Sequence, residues 1–348
     1  LRNKEALNLI EEKLLDVLKL LSEKISKYSD FPCMGYTHLQ PAEPTTLGYR
    51  FAFYAQDLLL DLENLRFVKQ IVKGKGLKGA VGTAASYSAL LKETSTTPSQ
   101  LEEKFLKDLG IDAVLISSQV NPRKFDFFIV NTLASISSSI SKFAFDLRIM
   151  QSPGFGEWAE PFGEKQVGSS AMPFKKNPLT SEKVCSLARY VTSLPSVVLE
   201  NASVSLLERT LDDSANKRVI MPEAFLATDE ILETAKKLIS GMFINENKIK
   251  QNLNTYAPFS ATELIIIESV KKGADRQEMH ELLREISMRA WEEVANGNPN
   301  NMKGLLTSDQ TIKKYIDSKQ IEELLDVKSH VGDAPERAII LAKKIKTL

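Results

Sequence analysis

Two cysteines in 348 residues, Cys33 and Cys185, are far too few for a disulfide framework. They read as small buried apolar residues in a reducing compartment. No stretch approaches the roughly 18 uninterrupted apolar residues that a membrane helix needs, and no secretory hydrophobic segment opens the chain. Net charge is missing too: 45 Lys and Arg balance 45 Asp and Glu. No global field therefore draws in nucleic acid or an anionic membrane, and an anionic ligand must be held by a local positive cluster. Histidine is scarce, with only His38, His280 and His330. No two of them are spaced as metal ligands, and no His/Cys/carboxylate cluster suggests zinc, so no metal and no cofactor is expected. There is no Gly-x-Ser-x-Gly elbow and no Ser-His-Asp order, which argues against a hydrolase. The glycine-rich stretch Gly74–Thr83 lacks the Gly-Lys-Ser/Thr ending of a phosphate-binding P-loop. Strand patterns are few, and neither an internal repeat nor a low-complexity tract is evident.

What the chain does have is helical periodicity. Apolar residues make up 43% and charged residues 26%, ordinary values for a globular protein. Leu7, Ile10, Leu14, Leu18, Leu21 and Ile25 recur at steps of three and four and share one helical face. A second long helix is expected from Pro44, suited to a first turn, to about Val72. Others fit 126–150, 179–207 with a kink at Pro195, 222–244, 261–272, 276–296 and a set of small ones after Ser308. Long helices with wide apolar arcs predict an all-α long-helix bundle that oligomerises through those helices. Residues 1–244 read as the central bundle domain. Residues 245–348, with shorter helices and the break Gly297-Asn298-Pro299-Asn300-Asn301, read as a smaller C-terminal helical domain. The chain opens Leu1-Arg2-Asn3-Lys4-Glu5 inside a helical pattern and without Met, which leads us to expect a missing upstream region.

Two segments, 31–46 and 151–178, read as long polar loops between helices, the kind of connection that is usually functional or disordered. In the first, His38 stands beside Thr37 and Gln40, groups able to orient an imidazole. A lone histidine is ordinarily a surface or satisfied structural residue, and His280 and His330 read that way; a loop setting favours a role for His38. In the second, Gly168 and the pair Ser169-Ser170 make a turn bracketed by Pro173 and Pro178. Lys175 and Asn177 project polar groups from it. A serine hydroxyl becomes a useful base or nucleophile only when cations or oriented N–H donors lower its pKa, and Lys175 and Lys176 are near enough in sequence. A third cluster, Glu208–Arg218, is either a solvated charged turn or an anion site in which Arg209 and Arg218 grip a phosphate and Ser214 adds a donor.

Gly168-Ser169-Ser170-Ala171-Met172-Pro173-Phe174-Lys175-Lys176-Asn177-Pro178 resembles the signature loop of the fumarase/aspartase superfamily, roughly G-S-S-x-M-P-x-K-x-N-P. Gly35-Tyr36-Thr37-His38-Leu39-Gln40 is similar to a second superfamily block. Its continuation Pro41–Gly48, with Lys78–Thr83 and above all Glu208–Asn216, points to the adenylosuccinate lyase branch. The similarity runs from Leu1 to the end and includes the turn at Gly332.

The resemblance implies a cytoplasmic homotetramer whose long helices share one core and whose active sites gather loops from three subunits. The implied reaction is anti elimination of fumarate from adenylosuccinate to give AMP, and from the succinyl-carboxamide ribotide, in purine biosynthesis. It implies Ser169 as the base and His38 as the acid. Lys175 and Asn177 are expected to stabilise the carbanionic intermediate, Thr37 and Gln119 to bind substrate, and Arg209, Ser214 and Arg218 to hold the phosphate. Thr180 and Lys183 depart from the pattern, since close relatives often carry arginines there. The family's N-terminal region, with a further histidine, a Thr-Ser block and an Arg-Tyr pair, is also absent. The alternatives are argininosuccinate lyase, which shares the Thr-His wording but needs no phosphate site, another fumarate-releasing member of the superfamily, and, if the N-terminal region is truly missing, an inactive helical fragment.

Overall fold

The computed structural model describes residues 1–163, 168–169 and 171–348, with the side chain of Lys328 excepted. Ser170 lies outside the described residues. In chain order the elements are α1 (Arg2–Lys27), β1 (Pro32–Thr37), β2 (Gln40–Thr46), α2 (Leu47–Ile71), α3 (Ala85–Leu90), α4 (Pro98–Asp108) and α5 (Lys124–Gln151). Then come β3 (Trp158–Ala159), α6 (Leu179–Ser193), α7 (Pro195–Ser203), α8 (Asp212–Gly241) and β4 (Phe243–Ile244). The chain ends with α9 (Glu246–Tyr256), α10 (Ala261–Lys271), α11 (Arg276–Ala295), α12 (Met302–Ser308), α13 (Gln310–Lys313), α14 (Ser318–Leu324) and α15 (Ala334–Lys346). Among the described residues the protein is all-α apart from two small antiparallel pairs, β1 with β2 and β3 with β4.

Contacts divide the chain into two compact units. The first comprises Leu1–Leu20, Tyr54–Arg148 and Glu160–Met242. Its core is built from helical stripes: Leu7, Ile10, Leu14 and Leu18 of α1, Leu58, Leu62 and Leu65 of α2, and Ile129, Leu133, Ile136 and Ile140 of α5 are all buried. Steps of three and four place each set on one face, and each such side chain contributes about 1.5–3 kcal/mol when withdrawn from water. Polar contacts fix the register between stripes. Asn64 donates to Thr132 at 2.9 Å, and the Ser137 and Thr228 hydroxyls meet at 3.2 Å. Lys13 bridges Asp229 at 2.6 Å and Glu233 at 3.0 Å, joining α1 to α8.

The second unit comprises Leu21–Phe53, Ile149–Ala159 and Phe243–Leu348. Ile265, Met279, Leu283, Met302, Leu306 and Ile312 belong to one of its buried clusters. Met34 of the β1–β2 hairpin packs with Leu253 and Ala257 in another.

Three expectations change. The segment 31–46 is not a loop but the β1–β2 hairpin. Pro44 does not open a helix: it pairs with Met34 in that hairpin. The α2 helix starts at Leu47, where the Thr46 hydroxyl accepts the Tyr49 N–H at 3.2 Å, a side-chain cap that no proline can supply. The helix expected from Pro222 begins at Asp212 instead, with Pro222 inside it. Acidic residues Asp212 and Asp213 in the first turn suit the positive end of the helix dipole. At Pro195 the expected interruption is present, between α6 and α7.

Asp61 of α2 is only 4% exposed. One of its oxygens accepts from Ser135, while Oδ2 has no hydrogen-bond partner among the described residues. Burial raises its pKa above the ordinary carboxylate value, with the Ser135 and Ser139 hydroxyls opposing and the Asp57 charge adding to the rise. A carboxyl with a raised folded pKa stabilises the fold fully below its unfolded pKa and loses that contribution as pH rises through the folded value. Asp61→Asn, which cannot ionise, should therefore melt higher than the parent at about pH 8, with the gap closing towards about pH 4. Thermal denaturation across that range checks this, and a gap that does not depend on pH contradicts it.

Candidate active-site segments

The hairpin presents Thr37 and His38. Thr37 pairs with Gln40, so His38 and Leu39 form a two-residue tip. Both have positive φ, 53° and 62°, as a type I′ turn demands, although that turn ordinarily takes Asn-Gly. Non-glycine residues in this region cost roughly 1–3 kcal/mol each, so the surrounding structure must hold the tip. The register shifts between Met34 and Tyr36, at Gly35, where a Cβ would lie 2.6 Å from the Glu43 carbonyl oxygen. Below the tip, Glu157 is fully buried. It accepts from the Tyr36 hydroxyl at 3.1 Å and from Asn252 Nδ2 at 3.0 Å. Arg50 lies 3.4 Å from the same carboxylate and also donates to the Met34 carbonyl. Burial, then the Glu157 charge, push the Tyr36 pKa well up, so its hydroxyl stays a donor. Cys33, also buried, has its thiol pushed up to about 11 by burial and is unsuited to thiolate chemistry.

The segment bearing Ser169 is organised by its own backbone. Ser169 Oγ accepts the Met172 N–H at 3.2 Å, an oriented donor of the kind that favours a hydroxyl's anionic form. Asn177 Nδ2 donates to the Gly168 carbonyl at 2.9 Å, and the Lys175 N–H donates to the Met172 carbonyl at 3.0 Å. A Cβ on Gly168 would lie 2.3 Å from the Lys175 carbonyl oxygen, so the two limbs close only over glycine. Lys175 is exposed, and Lys176 lies 5.3 Å from the centre of the Phe162 ring.

The Glu208–Arg218 cluster is the approach to α8 and its first turns rather than a free turn. Asp213 is buried, with Arg123 Nε at 2.6 Å and Arg209 Nη1 at 3.7 Å; neither ion pair has the alignment of a hydrogen bond. Ser214 and Arg218 stand one turn apart on α8, on one face. Lys217 is drawn away to Asp126 at 2.5 Å. The Gln119 N–H donates to the Glu208 carbonyl at 3.3 Å, which brings Gln119 to this cluster. The glycine-rich stretch supports that approach: a Cβ on Gly82 would lie 2.2 Å from the Ser117 carbonyl oxygen, and Lys78 pairs with Glu102. It packs beside Gln119 rather than forming a phosphate loop.

The expected residues thus fall into three groups. Thr37 and His38 lie on the hairpin of the second unit. Ser169, Lys175 and Asn177 form one group of the first unit, and Gln119, Arg209, Ser214 and Arg218 form another. Of the other histidines, His280 is exposed, and the His330 ring contacts the Leu324 carbonyl at 2.8 Å. Sequence reasoning passed over Glu157, Glu160, Arg123 and Asn252. A signal was available for Glu160: a helix that opens after Pro178 has no local side chain to cap it, so a distant acceptor was needed.

Residues 1–192 match the family described as Lyase, and residues 258–338 match that described as Adenylosuccinate lyase C-terminus. The adenylosuccinate lyase of Schistosoma mansoni is 40% identical over 342 residues, covering 96% of this chain and 70% of that protein. That of Schizosaccharomyces pombe is 38% identical over 336 residues, covering 96% and 69%. Among solved structures, a fumarate lyase from Mesorhizobium superposes with a TM-score of 0.82 at 22% identity, covering 97% of this chain and 73% of that one. The 3-carboxy-cis,cis-muconate lactonizing enzyme of Pseudomonas putida gives 0.83 at 23% identity, covering 98% and 74%. These two share the fold. With identity to named relatives carried along nearly its whole length, the chain belongs to the adenylosuccinate lyase family.

Proposed function

We propose that the protein cleaves the C–N bond of adenylosuccinate by anti elimination, giving AMP and fumarate, and acts likewise on the succinyl-carboxamide ribotide of purine biosynthesis. The observation that carries this reading is the Ser169 hydroxyl accepting the Met172 N–H within a segment that follows the superfamily's signature. Ser169 takes the proton from the carbon next to the succinyl carboxylate. Negative charge then builds on that carboxylate, and Lys175, Asn177 and loop N–H groups stabilise it; fixed donors of this kind are commonly the largest catalytic contribution. The C–N electron pair leaves with the purine nitrogen, and His38 supplies the proton that neutralises it. Thr37 and Gln119 bind substrate.

The phosphate is assigned to Arg209, Ser214 and Arg218 at the start of α8. A helix N-terminus favours an anion, and Arg209 Nη1 lies 3.7 Å from Asp213 in the first turn of α8. This site favours a nucleotide over argininosuccinate. Among the described residues no helix is long and apolar enough to cross a membrane, and Cys33 and Cys185 are free and buried. A cytoplasmic setting is part of the proposal.

The active form is proposed to be a homotetramer with sites shared between subunits, and with 1–244 and 245–348 as its central and C-terminal domains. Phe53, Leu60 and Phe67 support assembly: they recur every seven residues along α2 and are each more than half exposed. Val219 and Leu226 do the same on α8. Such stripes on a helix already buried on its other face mark an interaction surface. Leu60→Glu combined with Phe67→Glu should dissociate the assembly in sedimentation velocity; an unchanged sedimentation coefficient contradicts this.

The whole protein given adenylosuccinate should release fumarate, followed by the falling ultraviolet absorbance of the substituted purine, and should release none from argininosuccinate. Ser169→Ala and His38→Ala should each lower kcat by roughly 10²–10⁴-fold with assembly intact. Arg209→Ala should raise KM by roughly 10–100-fold, as expected for one lost charged hydrogen bond. Near-normal turnover by Ser169→Ala would remove it as the base, and an unchanged KM would remove Arg209 from the phosphate site.

A further inference from the structure

The α6 helix starts with a difficulty. Its N-cap is Pro178, which makes no side-chain hydrogen bond, whereas the first N–H groups of a helix need acceptors that Ser, Thr, Asp or Asn usually provides locally. Here the acceptor comes from across the loop. One oxygen of Glu160 accepts the Thr180 N–H at 3.0 Å, and the other accepts both the Ser181 N–H and the Ser181 hydroxyl at 2.8 Å. Thr180 and Ser181 are the second and third residues of α6, the positions that a local cap would serve. Glu160 is 2% exposed and Ser181 fully buried. A carboxylate at the positive end of a helix dipole is favoured, and hydrogen bonds to a charged acceptor are about twice as strong as neutral ones.

The topological consequence matters more than the stability. Glu160 and Ser181 are the two ends of the segment that carries Ser169, Lys175 and Asn177, so this one carboxylate closes that segment into a loop. Inside it, the Asn177 to Gly168 hydrogen bond at 2.9 Å makes a second cross-link. Holding the ends together removes the loop-closure part of an open segment's conformational freedom, and the Asn177 to Gly168 bond ties the residue before Ser169 to the residues just ahead of α6.

We infer that Glu160 is a positioning residue: its carboxylate caps α6 from the far side of the loop and thereby fixes where Ser169 stands. This rests on the assignment of Ser169 as the base. Glu160 itself touches no reacting atom.

Glu160→Gln keeps the side chain's size but turns an N–H₂ towards a backbone N–H donor. In the assembled protein it should lower kcat for adenylosuccinate by roughly 10–100-fold, the penalty for slight misplacement of a reacting group. KM and assembly should stay near those of the parent, while the thermal midpoint should fall modestly, because one buried donor of the α6 start loses its acceptor. Trypsin cleavage after Lys175 or Lys176 should accelerate. Ser181→Ala loses only the hydroxyl's bond and should shift kcat and cleavage in the same direction by less, which keeps the test available if Glu160→Gln fails to assemble. Parental kcat in both variants, or a lower kcat with parental cleavage rates, overturns the inference. The cleavage readout needs no turnover, so faster cleavage alongside a fully active Ser169→Ala would overturn the assignment of the base alone.

Discussion

Taking a carboxylate out of water costs several kcal/mol unless donors surround it, so a buried carboxylate gathers whatever can satisfy it. Three of them organise the segments to which the chemistry is assigned in the proposed reading. Glu157 draws Tyr36, Arg50 and Asn252 together beneath the hairpin tip. Glu160 draws the start of α6 back to the beginning of its own loop. Asp213 lies against Arg123 and Arg209 at the start of α8. Residues assigned to substrate or to the reaction lie near these anchors: His38 two positions from Tyr36, Asn177 three positions from Thr180, and Arg209 against Asp213 itself.

This arrangement separates rigidity from reactivity. His38 is exposed and sits at positive φ, a conformation that persists only where the hairpin below is over-determined. Ser169 and Lys175 depend on a loop whose ends are pinned. The long helices supply the platform, and solved structures that share this fold at 22–23% identity include a lactonizing enzyme. Fold alone therefore does not choose the reaction; in the proposed reading the side chains of these few segments do.

Much of this was legible in the sequence because helical burial is periodic. The stripes Leu7–Ile25, 126–150 and 276–296 needed no partner to be recognised. The hairpin was not legible, since Pro41 and Pro44 read as loop or helix-start signals and its turn is formed by His-Leu rather than a glycine pair. The start of α8 was hidden by Pro222, whose usual meaning as a breaker is overridden by the buried Ile220, Met221 and Ala224 around it. The motif residues Ser169, His38 and Arg209 stood out by resemblance. Glu157 and Glu160 did not, because their partners are distant in sequence, and the uncapped start of the helix after Pro178 signals that an acceptor is needed without saying which one.

The division of labour between Ser169 and His38 is the central claim, and proton exchange tests it most directly. Adenylosuccinate incubated in deuterated water with His38→Ala protein should exchange the proton next to its carboxylate while C–N cleavage is blocked, read by proton NMR. Ser169→Ala protein should show neither exchange nor cleavage. Exchange that persists without the Ser169 hydroxyl would contradict the account.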